Sequence, residues 1–318
     1  MKQSLHASVW TWCVSALFLL PVPSIAQNTE QTSHFEFGIT VGPSNFLGDL
    51  GGTMGKGRPF LKDNNIPMTK LTLGAFVSYH PTEWLAARLA INKGSLEGDD
   101  AIINGKGGYE EYRKIRNSNF RSKFTEAFII GELYPTIFTE SDPTDLFRKF
   151  RPYGVLGVGL YNFNPQGTDP LTGEWVDLKP LHTEGQGFPE YPDRPEYKTT
   201  QMNIPMGFGV KYYLSERVNL SFEIIHRKTF TDYIDDVSKD YVDPALFYQY
   251  LPLADAQLAE RMANKTGNST TRVFNAGDKR GTPTNMDAYY TAGFKLGFLL
   301  GSSSSDRSMR SMSCPVRF

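Results

Sequence analysis

Cysteine is nearly absent: 318 residues hold two, Cys13 and Cys314. No CxxC pair exists for zinc or redox work, and no disulfide framework can be built. Beyond the first thirty residues no stretch approaches the roughly 18 consecutive apolar residues of a membrane helix. Neither charge sign prevails. The net charge of -1 leaves no global field to recruit nucleic acid or an anionic surface. Catalytic signatures are missing as well: there is no HExxH, no GxSxG and no Walker loop.

What the chain has is aromatic residues, at 13%, and 29 glycines, a pairing that favours β structure with many turns. It begins "MKQSLHASVWTWCVSALFLLPVPSIAQ". Lys2, an apolar core over Val9 to Leu20, and small residues at Ser24 and Ala26 predict an export signal over 1–26. Cys13 does not fit a lipobox, since Thr11-Trp12 precede it and apolar residues continue after it.

Period-two alternation then recurs in runs of about ten residues. The runs are 35–42, 70–79, 84–94, 124–134, 153–163, 202–214, 218–230 and 290–300. In "FEFGITVG", Phe35, Phe37, Ile39 and Val41 share one face against Glu36, Gly38 and Thr40. In "YTAGFKLGFLL", Ala292, Phe294, Leu296 and Phe298 oppose Thr291, Gly293, Lys295 and Gly297. The segments between runs alternate long (43–67, 95–117, 164–199, 231–288) with shorter (80–83, 135–150, 215–217). A soluble sandwich has no reason to sort its loops this way. An outer-membrane barrel does, with long outer loops and short periplasmic turns. The expected fold is therefore all-β: an eight-stranded antiparallel up-and-down transmembrane barrel, OmpA/OmpX-like, over 27–301, with a serine-rich periplasmic tail at 302–318.

The non-lipid face carries both signs: Glu36, Lys70, Arg88, Glu126, Glu132, Lys211, Glu223, Arg227 and Lys295. A barrel this small is filled by side chains, and buried charges must pair. A packed luminal network, not an open pore, is the expectation. Within the last long loop, "PLADAQLAERMANKTG" (252–267) places Leu253, Ala256, Leu258 and Met262 at helical spacing and predicts a short helix over the mouth.

"RKTFTDYIDDVSKDY" (227–241) is the densest constellation. Asp232, Asp235, Asp236 and Asp240 resemble a calcium loop in composition only: the D-x-D-x-D-G spacing is missing. Phe230 and Tyr233 fit an aromatic girdle near the outer interface. Arg280, in "KRGTP" just before the last strand, is expected to pair with Asp232, Asp235 or Asp236 and so fix the rim. His182 with Glu184 could suggest a base, but the glycines of "TEGQG" argue for a turn. No catalytic, cofactor or metal residue is assigned.

Five segments carry a resemblance: "GPSNFLGDLGG" (42–52), "PLHTEGQG" (180–187), "IPMGFGVKYYL" (204–214), "HRKTFTDYIDDVS" (226–238) and "KRGTPTNMDAYY" (279–290). Together with the ending "CPVRF", they resemble the PorG-type outer-membrane barrels of Bacteroidota. The resemblance implies a structural role in the type IX secretion system, tying a periplasmic PorK–PorN ring to the outer membrane without catalysis. The periplasmic turn 135–150, with Arg148, Lys149 and Arg151, and the tail after Gly301 would carry the contacts. Two other readings remain open from the residues: a surface barrel that binds a ligand or host surface through its outer loops, and a rim enzyme.

Overall fold

The computed structural model describes residues 33–50, 66–103, 110–139, 146, 149–215, 217–268 and 273–300. The expected signal at 1–26, the tail at 302–318 and Arg148 lie outside the described residues.

Eight antiparallel strands close on themselves: β1 (His34–Leu47), β2 (Lys70–His80), β3 (Leu85–Asp99), β4 (Asn119–Leu133), β5 (Phe150–Thr168), β7 (Thr200–Tyr213), β8 (Val218–Thr229) and β9 (Ala288–Leu300). A three-residue strand, β6 (Trp175–Asp177), pairs with the outer end of β5. Chain neighbours pair in the barrel, β9 pairs back to β1, and β4–β5 completes the ring. Among the described residues, three α-helices lie in the long loops: α1 (Glu110–Arg116), α2 (Ala245–Tyr250) and α3 (Leu253–Ala263).

Outward positions form an apolar belt on every strand. Ile39, Leu73, Leu89, Ile129, Leu156, Phe208, Phe222 and Phe294 are all exposed. A continuous band of this kind far exceeds the apolar patches that soluble monomers tolerate, and it fits a bilayer. Closure pairs the backbone of every barrel strand, which the hydrocarbon core requires. The chain is thus an outer-membrane-type β-barrel, as its alternation and loop lengths lead one to expect.

The strands run further than the apolar alternation. β3 continues to Asp99, β4 starts at Asn119, and β5 reaches Thr168. Toward the outer end of the barrel the polarity reverses. Phe46, Leu96, Phe120, Phe124, Tyr161, Phe163 and Tyr289 turn inward as one buried cluster. Asn162, Asn164, Gln166 and Lys123 turn outward. In lipid the outer face must be apolar; once the barrel rises into water, the inner face must be.

The mouth above is covered by a small folded cap. Leu178, Leu181, Phe188, Val242, Phe247, Ala256, Ala259, Met262 and Ala263 form its core. The expected helix at 252–267 is present as α3 plus a 3-10 turn at Lys265–Asn268. Its buried face is Ala256, Ala259, Met262 and Ala263, whereas Leu253 is exposed. Small residues let α3 lie close on the cap core.

Candidate functional site

The membrane-level lumen is filled from the strands inward. Because side chains alternate, one charged residue on each of several strands reaches the axis. Lys211 Nζ of β7 lies 2.7 Å from Glu36 of β1. The same carboxylate faces His80 Nε2 of β2 at 3.2 Å, and His80 stacks on His34 with ring centroids 4.4 Å apart. Arg88 of β3 bridges Glu132 at 3.1 Å and Glu223 at 2.9 Å. Lys295 of β9 lies between the same two carboxylates, at 3.4 and 3.5 Å. Tyr134 and Tyr153 donate their hydroxyls to Glu132 and Glu223 respectively.

A second layer lies closer to the outer end. Arg227 of β8 reaches both oxygens of Glu126, each at 3.2 Å. Asn203 and Tyr289 donate to the same carboxylate at 2.7 and 3.2 Å. Rings cover the cations: Lys295 lies 4.7 Å from the centroid of Phe76, and Arg227 lies 5.6 Å from that of Phe128. Four carboxylates (Glu36, Glu126, Glu132, Glu223) thus meet four cations (Arg88, Lys211, Arg227, Lys295), all eight being buried. Their formal charges cancel.

Lys70, grouped with these by parity, is not in the network. It pairs with Glu97 at 2.6 Å and stays 37% exposed. It opens β2 at the outer end, where the inward position meets the water-exposed rim and not the packed lumen.

The outer mouth is a knot of four loops. Glu184, fully buried in the β5–β7 connection, accepts from the backbone of Ser238 and Lys239 at 3.0 Å each. Arg280 of the β8–β9 loop pairs with Glu184 at 2.9 Å. Its guanidinium also donates to the carbonyls of Asp236 (2.7 Å) and Ala263 (3.2 Å). The two elements expected to meet do so, but through the Asp236 backbone: the carboxylate partner is Glu184, in place of Asp232, Asp235 or Asp236. Gly281 is needed here, since a Cβ would stand 2.6 Å from the Ser238 backbone. Gly185 and Gly187 hold φ of +69° and +84°, which shapes the turn that presents Glu184.

The aspartates have separate tasks. Asp236, itself at φ 63°, accepts from Thr183 and from Tyr197 at 2.7 Å. Asp235 accepts from the backbone of Leu50 and Val237 at 3.0 Å each, tying in the β1–β2 loop. Asp287 accepts from Ile234 at 2.7 Å, and Asp49 accepts from Thr282. Arg116 of α1 joins the β3–β4 loop, bonding Asp100 and the carbonyls of Arg280 and Asp49 at 2.7 Å each. Burial raises the Asp232 carboxyl to about 9, with Asp235 beside it adding to the shift. Burial also holds Asp235 and Asp287 well above the usual carboxylate range, and lifts Asp236 to about 6. Among the described residues, no three His, Cys, Asp or Glu side chains form a group that could hold a metal ion.

Tyr233 is not a girdle residue. It stacks on Tyr197 at 4.8 Å and packs against the buried aromatic cluster, whereas Phe230 is exposed. His182 bonds the Gln186 carbonyl within its own turn. The sequence reading missed Glu184 as an anchor, and missed His80, Tyr134 and Tyr153 as luminal partners. His80 and Tyr153 could have been found from strand parity, as inward polar residues next to the charged positions.

No family model matches the chain. No curated protein matches it either. Among solved structures, the attachment invasion locus protein Ail of Yersinia pestis aligns over 84% of this chain and 99% of its own, at 7% identity and a TM-score of 0.35. A major outer membrane protein of Thermus thermophilus covers 84% and 99%, at 12% and 0.37. Outer membrane protein W of E. coli covers 85% and 100%, at 14% and 0.33. Likenesses this distant carry no argument, and the assignment as an outer-membrane barrel rests on its own closure, apolar belt and loop asymmetry.

Proposed function

We propose that this barrel is a non-catalytic scaffold of the type IX secretion system, anchoring a periplasmic ring of PorK/PorN-like subunits to the outer membrane. One observation carries the scaffold reading: the lumen is filled by a charge-balanced network beneath a knotted cap. A barrel closed twice over is suited to being held in the membrane and gripped from its periplasmic side. The specific system is supported by the sequence resemblance. Four of the five segments that carry it, 42–52, 180–187, 226–238 and 279–290, contribute residues to the outer knot.

Periplasmic contacts would use the turn after β4. There Phe138 is 68% exposed and packs on Trp84 at 5.9 Å, Lys149 is exposed, and Arg151 is held by Glu83 at 3.7 Å. The test is deletion of the gene, followed by assay of type IX cargo in the medium and of ring subunits in the outer-membrane fraction. Cargo should be retained in the cell and the ring should leave the membrane fraction. Normal secretion with the ring in place would reject the proposal.

A second reading has one observation in its favour. The cap helices present Tyr248, Tyr250 and Leu253 to solvent. A surface barrel that takes a ligand there would lose binding on removal of 245–263 while secretion continued.

A further inference from the structure

Outward strand positions change character from one end of the barrel to the other. At the end with short turns they finish in aromatic and aliphatic side chains: Phe35, Tyr79, Leu133, Phe150, Tyr212 and Leu300 are all exposed. Near the long-loop end three strands, β3, β4 and β8, carry outward cations, while Leu71 of β2 and Phe230 after β8 keep exposed apolar side chains there. On β3 the outward series Leu89, Ile91 is followed by Lys93. On β4, read toward its outer end, Ile129 and Ala127 are followed by Thr125, Lys123 and Arg121. On β8, Phe222 and Ile224 are followed by His226 and Lys228. Lys93, Lys123 and Lys228 are all exposed. Arg121, on the same strand as Lys123, is fixed by Gln166 at 2.9 Å and by the Trp175 ring, whose centroid is 4.4 Å away, whereas Lys228 stands three strands further round the ring. Glu97 and Asp99, the acidic outward residues of β3, come only after Lys93, further from the belt. Lys70 neutralises Glu97, and Asp99 caps the following turn.

Successive outward positions are about 6.6 Å apart along a strand, less along the axis of a tilted one. These cations therefore stand within one to three outward steps of the last apolar side chain, at the depth of a headgroup layer. Exposed ammonium groups at that depth suit an outer leaflet of phosphorylated glycolipid. Each ammonium can then neutralise a phosphate while the acyl chains lie against the apolar belt beneath it.

We propose that Lys93, Lys123 and Lys228, with Arg121, form a collar that binds the phosphates of the outer-leaflet glycolipid. The inference rests on the barrel's orientation with its long loops outside, not on a role in secretion. The test reconstitutes the full-length barrel and the variant Lys93→Glu/Lys123→Glu/Lys228→Glu into phosphatidylcholine vesicles. The vesicles are doped with diphosphoryl lipid A, with its fully dephosphorylated form, or with phosphatidylglycerol. Lipid co-isolated with the detergent-extracted barrel is then counted by mass spectrometry. Wild type should enrich diphosphoryl lipid A over both other lipids, and the variant should lose that enrichment by at least about tenfold, at roughly fivefold per lysine. The gel shift of the heat-modifiable barrel verifies folding, and Arg217→Glu, in a periplasmic turn, should retain enrichment. Equal enrichment in wild type and variant, or enrichment independent of phosphate, would overturn the proposal. Equal recovery of phosphatidylglycerol would do so too, because the collar would then be a generic anionic contact.

Discussion

Arg280 shows how the cap depends on single residues. Its guanidinium is buried between Glu184 and two backbone carbonyls, so its loss strands a buried carboxylate. Breaking a buried pair from one side costs about 3–5 kcal/mol. Arg280→Met should therefore loosen 180–187 and 231–240 while leaving the barrel folded. Hydrogen exchange would register this as lost protection in those loops with unchanged protection in β1–β5; unchanged loop protection would contradict it. The acidic group predicts a pH dependence. Asp232 faces Asp235, Asp49, Glu184 and Ser238, and Asp287 faces Asp235, Asp232 and Asp49, with Arg116 as the cation beside Asp235. Folded values are raised, so the native cap keeps protons that the unfolded chain releases near pH 4. This contribution is fully present below about pH 4 and is lost as pH climbs toward about 9 for Asp232. Protease resistance of the cap should fall between pH 5 and pH 9, in a scan over about those limits, and Asp232→Asn should flatten the fall. Resistance that rises with pH would show the sign to be wrong.

At the scale of strands, the reversal of polarity sets what each position tolerates. Val158 lies in the lipid belt, and Asn162 lies two outward steps beyond it on β5. Val158→Arg should destabilise the reconstituted barrel by about 2–4 kcal/mol, and Asn162→Arg by no more than about 1. Denaturant titration in vesicles measures both; equal costs would mean that the belt is misplaced. The same reversal explains what could be read from the sequence. Apolar alternation marked the lipid-crossing part of each strand, and loop lengths gave the topology. The outer ends of β3 and β4 escaped notice because there the apolar residues move to the inward parity, as with Leu96 and Phe120. Luminal charges such as Arg88 and Glu223 were legible by parity alone, since alternation dictates which side chains face the axis. The pairing of Arg280 with Glu184 was not, because its partner lies 96 residues away and only the tertiary path of the loops brings them together.

The molecule as a whole is a closed barrel. Opposed charges fill the lumen in two layers, Arg88–Glu132–Lys295–Glu223 and Arg227–Glu126, and the loop knot seals the outer mouth above them. An ion entering would have to displace a paired, buried charge, at a cost of several kcal/mol. Conductance across a planar bilayer containing the purified full-length barrel tests this most directly. A closed barrel should give a baseline indistinguishable from protein-free membrane, and should keep it when Arg227 and Glu126 are both replaced by alanine, because the other charge layer and the loop knot still block the path. Steady unitary conductance from the wild-type barrel would contradict it.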